Sequence, residues 1–348
     1  MKSAEKTRIK LKQIAEIFKD KKNFLIVIQN YPDPDALASA VALKELAKHY
    51  SEIQCSIASG GFVGRAENRA LAKYLHLPIH QISELELSRF DIIALVDTQP
   101  STGNNALPPE IKPDIVIDHH PIKKATRSVS FTDIRSRYGS NSSILFEYLK
   151  TASIEIDIRL ATALLYGIRS DTQDLGRESS KEDIDAFLSL YPHANKRMLS
   201  EIQHSKTPRS YFRMLTTALR NAKVYKNCII SCMGKIDIPD IVGEIADLTL
   251  REEDTSWTLI YGYYQDSILL SLRTTDSTGD AGKIMSRIVK GIGTGGGHRA
   301  MAGGQILFGN FSADDRKKTE IKISKRFLKA LKIHSDDYQR LIKTPINT

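Results

Sequence analysis

The sequence predicts an α/β protein: an open, mostly parallel sheet in an N-terminal domain, followed by a second, smaller α/β domain. Three observations carry that reading. Short buried β-like runs alternate with helix-period stretches over residues 20–190, and carboxylates recur just beyond several of those runs. A chain of 348 residues also exceeds what one hydrophobic core usually serves. Strands alternating with helices imply parallel pairing with both sheet faces covered.

The elements follow in order. Residues 5–20 place Ile9, Leu11, Ile14, Ile17 and Phe18 at helical spacing, which predicts an amphipathic helix ahead of the first strand. The unbroken apolar run 24–28 reads as a buried strand, followed by a Pro-broken turn over 30–35 and an Ala-rich helix over 36–49. Runs 53–58, 92–96 and 115–117 are further strands. Polar composition between 189 and 211 predicts a linker or connecting helix, which gives a first domain over 1–190, a linker over 191–212 and a second domain over 213–348. In the second domain, 223–233, 258–264 and 267–272 are strand-like, 291–304 is a Gly-rich loop, and the tail after Ser312 is helical.

Composition excludes several classes. No run approaches the roughly 20 apolar residues that span a bilayer, and the Lys-rich start lacks the apolar region of a secretory signal, so the expected location is cytoplasmic with no membrane partner. Cys55, Cys228 and Cys232 are odd in number, which argues against a disulfide framework. A net charge of +9 is compatible with an anionic substrate, although much of the excess lies in terminal segments that read as solvated helix faces.

In an open α/β sheet, ligands gather beyond the carboxyl ends of the strands, and that is where the notable acids fall. Asp33 and Asp35 follow one strand, Asp97 ends a second, and Asp118, His119 and His120 end a third. Asp171 follows the apolar stretch 160–168. Each has an ordinary alternative, Asp35 as a helix cap and Asp97 as a loop acid, but like-charged carboxylates held together need cations. Mixed carboxylate and imidazole donors without thiolate suit manganese, magnesium, iron or cobalt rather than structural zinc, and two ions are expected, with Mn2+ favoured over Mg2+ or Co2+.

These residues resemble the DHH phosphoesterase family, named for the triplet found here as Asp118-His119-His120. Asn30-Tyr31-Pro32-Asp33-Pro34-Asp35-Ala36, Val96-Asp97-Thr98 and Gly167-Ile168-Arg169-Ser170-Asp171-Thr172 are similar to its other motifs, in the same order. The C-terminal half resembles the DHH-associated domain of the nanoRNase, pAp phosphatase and RecJ-type branch, through Ser271-Leu272-Arg273, Gly295-Gly296-Gly297-His298 and Ala300-Met301-Ala302-Gly303-Gly304. The resemblance implies that Asp97 bridges two metals, Asp33 helps hold one, and Asp35, His119 and Asp171 hold the other. It also implies that His120 faces the substrate phosphate and Asp118 orients a histidine. One position departs: where the family commonly has a histidine four residues before the first-motif aspartate, Gln29 stands here. An amide oxygen is a poorer ligand than imidazole for a transition metal, so the first site is expected to be weaker.

The resemblance further implies that Arg273, Gly295, Gly296, Gly297 and His298 contact the phosphate or base of a nucleotide across a cleft. Trp257, Tyr261, Tyr263 and Tyr264 are candidates for base stacking, and equally an ordinary strand face. Asp97, His120 and Asp118 are the expected catalytic residues of a metal-assisted hydrolysis with no covalent intermediate. Expected substrates are short oligonucleotides or pAp. Rival readings are a pyrophosphatase or polyphosphatase, a phosphodiesterase for cyclic or linear dinucleotides or single-stranded nucleic acid, and a regulatory nucleotide-binding module with a decayed metal site. A homodimer is compatible with the sequence.

Overall fold

A computed structural model describes residues 3–342 except 178, 298, 310, 311, 335 and 336. The chain divides into two compact units after Lys206. The first unit runs α1 (Ser3–Phe18), β1 (Asn23–Val27), α2 (Pro34–Tyr50), β2 (Gln54–Ser59), α3 (Ala66–Tyr74), β3 (Ile79–Gln81), β4 (Ile92–Val96), β5 (Ile115–Asp118), β6 (Phe131–Ile134), α4 (Asn141–Thr151), α5 (Ile158–Thr172), α6 (Lys181–Leu190) and α7 (Lys196–Gln203).

Its six strands form a wholly parallel sheet in the order β3-β2-β1-β4-β5-β6. The order reverses between β1 and β4, so the chain leaves those two strands in opposite directions and opens a crevice at their carboxyl ends. Alternate strand residues sort the core. Phe24, Ile26, Ala94, Val96, Ile115 and Ile117 pack beneath the helices, whereas Leu25, Val27, Ile93, Leu95 and Val116 meet Ile82, Val129, Ala106, Leu107 and Ile111 from short turns and loops. The second face is thus covered by irregular chain. Two strands, β3 and β6, lie outside the elements expected from the sequence, because Ile79-His80-Gln81 and Phe131-Thr132-Asp133-Ile134 are short and carry mixed polarity.

The segment between the units is built rather than slack. Leu199 and Ile202 of α7 are buried in the first core. The second unit comprises α8 (Arg209–Asn221), β7 (Lys223–Tyr225), β8 (Cys228–Lys235), α9 (Ile241–Thr249), β9 (Trp257–Tyr264), β10 (Ser267–Thr274), α10 (Ala281–Val289), β11 (Thr294–Gly297), β12 (Met301–Leu307), α11 (Ala313–Ala330) and β13 (Gln339–Arg340). Its sheet order is β11-β12-β10-β9-β8-β7-β13, antiparallel except for the β8–β9 pair. One face packs on Met285, Ile288, Ile323 and Phe327 of α10 and α11, the other on Met214, Ala218, Ile241 and Ile245 of α8 and α9. Trp257 and Tyr261 belong to the first of these faces and are core residues.

The Gly-rich run departs from the loop expected. Gly295, Gly296 and Gly297 pair with Gly304, Gly303 and Ala302 as an edge hairpin, so part of their backbone is already hydrogen-bonded. Close packing demands two of these glycines. A Cβ on Gly297, whose φ is +155°, would lie 2.4 Å from Met301 O, and one on Gly295 would lie 2.9 Å from Gly303 O. Gly296 differs, since a Cβ there would meet nothing within 4 Å.

Candidate metal centre

Each predicted acid is delivered by a specific local device. Asp33 caps α2, its Oδ1 accepting from Ala36 N at 2.9 Å, with Pro34 opening the helix behind it. Asp35 is fully buried in the first turn, and its two oxygens accept from the Asn141 and Ser142 amides, 2.6 and 2.7 Å away, at the start of α4. That helix N-terminus supplies unpaired N–H groups and positive potential to a carboxylate that water does not reach. Gly167 of α5 lets the helices meet there, because a Cβ would stand 3.1 Å from Asp35 Oδ1 and 2.4 Å from Ser142 Oγ.

Asp97 follows β4 directly and takes a left-handed φ of +58°, a conformation that Asp and Asn tolerate better than most residues. Its amide bonds Ile117 O at 3.0 Å, tying it to β5. Asp118 ends β5, and Asp171 comes from the last turn of α5, a helix rather than a strand end. The donor atoms of Asp35, His119 and Asp171 lie within 4.8 Å of one another, as do those of Asp97, Asp118, His119 and His120. His119 belongs to both groups.

The orientation of His119 decides what the cluster can hold. Its Nδ1 lies 3.2 Å from Tyr138 O, and since a carbonyl only accepts, Nδ1 carries the proton. Nε2 is thereby turned to Asp97 Oδ1 at 3.4 Å and Asp171 Oδ2 at 3.3 Å. A neutral imidazole would aim its lone pair at two carboxylates, an arrangement that requires a cation in between, either a second ring proton or a metal. The titration behaviour agrees. Burial lowers the His119 pKa, but hydrogen bonds and charge from Asp171 and Asp97 override it and hold it well above the usual value.

Burial, with Asp171 adding repulsion, pushes Asp35 up to about 6. Asp97 rises well above the carboxylate range through burial, and Asp171 and Asp33 are raised for the same reason, with Asp33 and Asp35 respectively adding to it. Asp97 Oδ1 is buried and accepts no well-formed hydrogen bond from the described residues. Three carboxylates that resist ionisation around one imidazole nitrogen fit a divalent ion, which would relieve all of them together.

Asp118 behaves oppositely and stands behind the cluster. Its Oδ1 lies 2.8 Å from His120 Nδ1, and its Oδ2 accepts from Gln99 Nε2 at 2.6 Å. Burial alone would raise it, but His120 and these hydrogen bonds carry it down to about 2. Gln99 went unnoticed in the sequence. It is fully buried, and its Oε1 accepts from Lys123 N and Thr126 Oγ1, both at 2.8 Å, which anchors the loop after the histidines. A polar residue two positions beyond a strand-end acid was the available signal. Arg135 was likewise missed: it binds Asp133, Glu147, Thr7 and the Tyr138 hydroxyl, fixing the segment whose carbonyl orients His119.

Gln29 lies on the acids, with Nε2 donating to Asp33 Oδ2 at 2.9 Å and to Asp97 Oδ2 at 3.2 Å. Its amide nitrogen, not its oxygen, faces them. Asp33 consequently has both oxygens engaged and stands outside both donor groups.

The DHH family's N-terminal domain matches residues 23–168 and the DHHA1 domain matches residues 226–330. The chain belongs to the DHH phosphoesterase family. Among curated proteins it is 34% identical over 307 residues to an uncharacterized protein of Methanocaldococcus jannaschii, covering 88% of this chain and 62% of that protein. It is 28% identical over 248 residues to the A-adding tRNA nucleotidyltransferase of Aquifex aeolicus, covering 68% of this chain and 28% of that protein. The chain therefore spans less than two thirds of either relative. An exopolyphosphatase-related protein from Bacteroides fragilis shares the fold with a TM-score of 0.70 at 18% identity, covering 93% of this chain and 97% of that one. Exonuclease RecJ bound to manganese gives 0.50 at 14% identity, covering 95% of each. DHH proteins depend on divalent metals, and this chain carries the acid and histidine cluster for one.

In the DHHA1 domain, Arg273 is not an open fork. Its Nε binds Asp247 Oδ1 at 2.7 Å, and Nη1 binds Ser271 Oγ at 2.8 Å and Leu272 O at 3.2 Å. His298 lies outside the described residues. No helix among the described residues is long and apolar enough to cross a membrane.

Proposed function

We propose that this DHH protein is a metal-dependent phosphodiesterase or phosphatase that hydrolyses short oligonucleotides or small nucleotides such as pAp. The orientation of His119 carries the reading, because its Nε2 and the Asp97 and Asp171 carboxylates converge on one point with the donor chemistry a divalent cation takes. Asp35, Asp97, His119 and Asp171 are the ligands of a tight ion, Mn2+ by donor chemistry, and Asp33 with Asp97 is a second, weaker position. Bound there, the ion lowers the pKa of water and neutralises phosphoryl charge.

The protein groups then have separate tasks. His120, held at Nδ1 by Asp118, donates from its other nitrogen to a phosphoryl oxygen when the ring carries both protons. In the DHHA1 domain the hairpin at Gly296, where packing does not require glycine, leaves room for a ligand against the backbone, and Arg273 braces β10 through Asp247 and Ser271. The RecJ and tRNA nucleotidyltransferase relatives, named for nucleic-acid substrates, support nucleotides as the substrate class. The test is a panel of pAp, pApA, a five-nucleotide RNA and pyrophosphate with Mn2+-loaded protein. Release of mononucleotide or phosphate from the nucleotide substrates is expected, and a panel left wholly intact overturns the assignment.

A further inference from the structure

Beyond the metal cluster, the loop that leaves β5 carries cations with no acidic residue in the same segment. Residues 119–132 contain Lys123, Lys124 and Arg127 but no Asp or Glu. All three side chains are exposed, and none forms a hydrogen bond or ion pair with the described residues. Arg137 is exposed on the neighbouring loop, which Arg135 N joins to Asp118 O at 3.0 Å. Unpaired cations on a freely moving loop would read as a solvated face. This loop is fixed: Gln99 binds the Lys123 amide and Thr126 hydroxyl on one side and Asp118 on the other, all at 2.6 to 2.8 Å.

The chain reach then limits the distance. Lys123 follows His120 by three positions, at most about 11 Å of extended backbone, which keeps its charge within reach of the nucleotide next to the one at His120. Pro121 and Ile122 are exposed in the same strip, Ile122 at 46%, so apolar surface adjoins positive charge. A chain that carries both phosphates and nucleobases suits apolar surface beside positive charge, whereas a bare phosphate chain has nothing to lay on Ile122.

We infer that Lys123, Lys124, Arg127 and Ile122 form a rail for the phosphates and bases of a single-stranded oligonucleotide beyond its scissile unit. This selects linear chains of several nucleotides over dinucleotides and pAp, and it rests on the phosphoesterase reading above.

The test compares kcat/KM of wild type and a K123Q/K124Q/R127Q variant on pApA, a five-nucleotide RNA and inorganic polyphosphate, with thermal melting as a check on folding. For the variant, kcat/KM on the five-nucleotide RNA should fall at least about tenfold more than on pApA. Its log KM against log salt should flatten by about 2 for three lost phosphate contacts. Ile122→Ala should raise KM for the RNA and not for polyphosphate. Equal losses on RNA and pApA, or none, overturn the rail. A loss on polyphosphate that matches the RNA loss, with Ile122→Ala silent, overturns the oligonucleotide as its occupant. Wild type inactive on every substrate overturns the underlying phosphoesterase reading instead.

Discussion

Asp33 and Asp35 stand two residues apart in one turn, yet their surroundings split the acid cluster in two. Asp35 is buried, is held by two backbone amides and shares a donor group with His119 and Asp171. Asp33 is partly exposed and has its oxygens taken by Ala36 N and the Gln29 amide. Neighbouring position in sequence therefore does not give equal ligands. Backbone donors leave a carboxylate with further lone pairs for an ion, whereas a side-chain amide laid between Asp33 and Asp97 occupies the space an imidazole nitrogen would offer.

The largest expected effect tests whether the two halves share a hinge. Asp97 touches both, through His119 on one side and Gln29 on the other. Asp97→Asn keeps the shape and the tolerance for a left-handed φ but removes the charge. Turnover should drop about 10³-fold or more while the melting temperature holds. Near-normal activity in this variant would break the assignment of both positions. Next comes Gln99→Ala, which leaves every ligand in place but frees Asp118 and the loop at Lys123 and Thr126. A loss of about 10- to 100-fold in activity is expected, of the size seen for residues that orient a site. If only stability falls, the Gln99 hub is merely structural.

Much of this centre was legible because parallel sheets announce themselves. Buried runs such as 92–96 are unbroken, and an acid directly after one has no cheap structural use. The triplet at Asp118, with the other motifs in the same order, made the family readable. Orientation was not readable. That Gln29 turns its nitrogen to the acids, that Arg273 spends its guanidinium on Asp247, and that Gly295 and Gly297 lie in a paired strand all depend on contacts between residues distant in sequence. Asp171 lies beside Asp35 and His119 but comes from a helix end, since a 3.6-residue period also yields an apolar stretch.

The deeper half should also respond to pH. Asp35, raised to about 6 by burial and by Asp171, must lose its proton before it can bind an ion. At pH 5 it is mostly protonated, so Mn2+ affinity should be about tenfold lower than at pH 7.5, with a proton released on binding. The metal-free protein follows the opposite course. A carboxyl raised in the folded state stabilises the fold below the unfolded pKa, and that contribution is lost as pH rises through about 6. Calorimetric titration at both pH values checks the first statement, and melting with and without Mn2+ checks the second. A pH-independent affinity would detach Asp35 from the ion.

The smallest effect is the most discriminating for Asp33. Wild type should bind one Mn2+ tightly per chain, counted by metal analysis after desalting, because Gln29 keeps its amide nitrogen against Asp33 and Asp97. Gln29→His replaces that donor with a ring whose nitrogen accepts a metal, and it leaves Asp35, His119 and Asp171 untouched. The tight ion should keep its affinity while a second appears in the same assay. Two equally tight ions in wild type would show that the amide turns over to present its oxygen, and the contrast between the two carboxylates would vanish. One ion in both proteins would place the obstacle in the cap, where Ala36 N holds Asp33 Oδ1. The variant thus separates a site blocked by its neighbour from one committed to its helix.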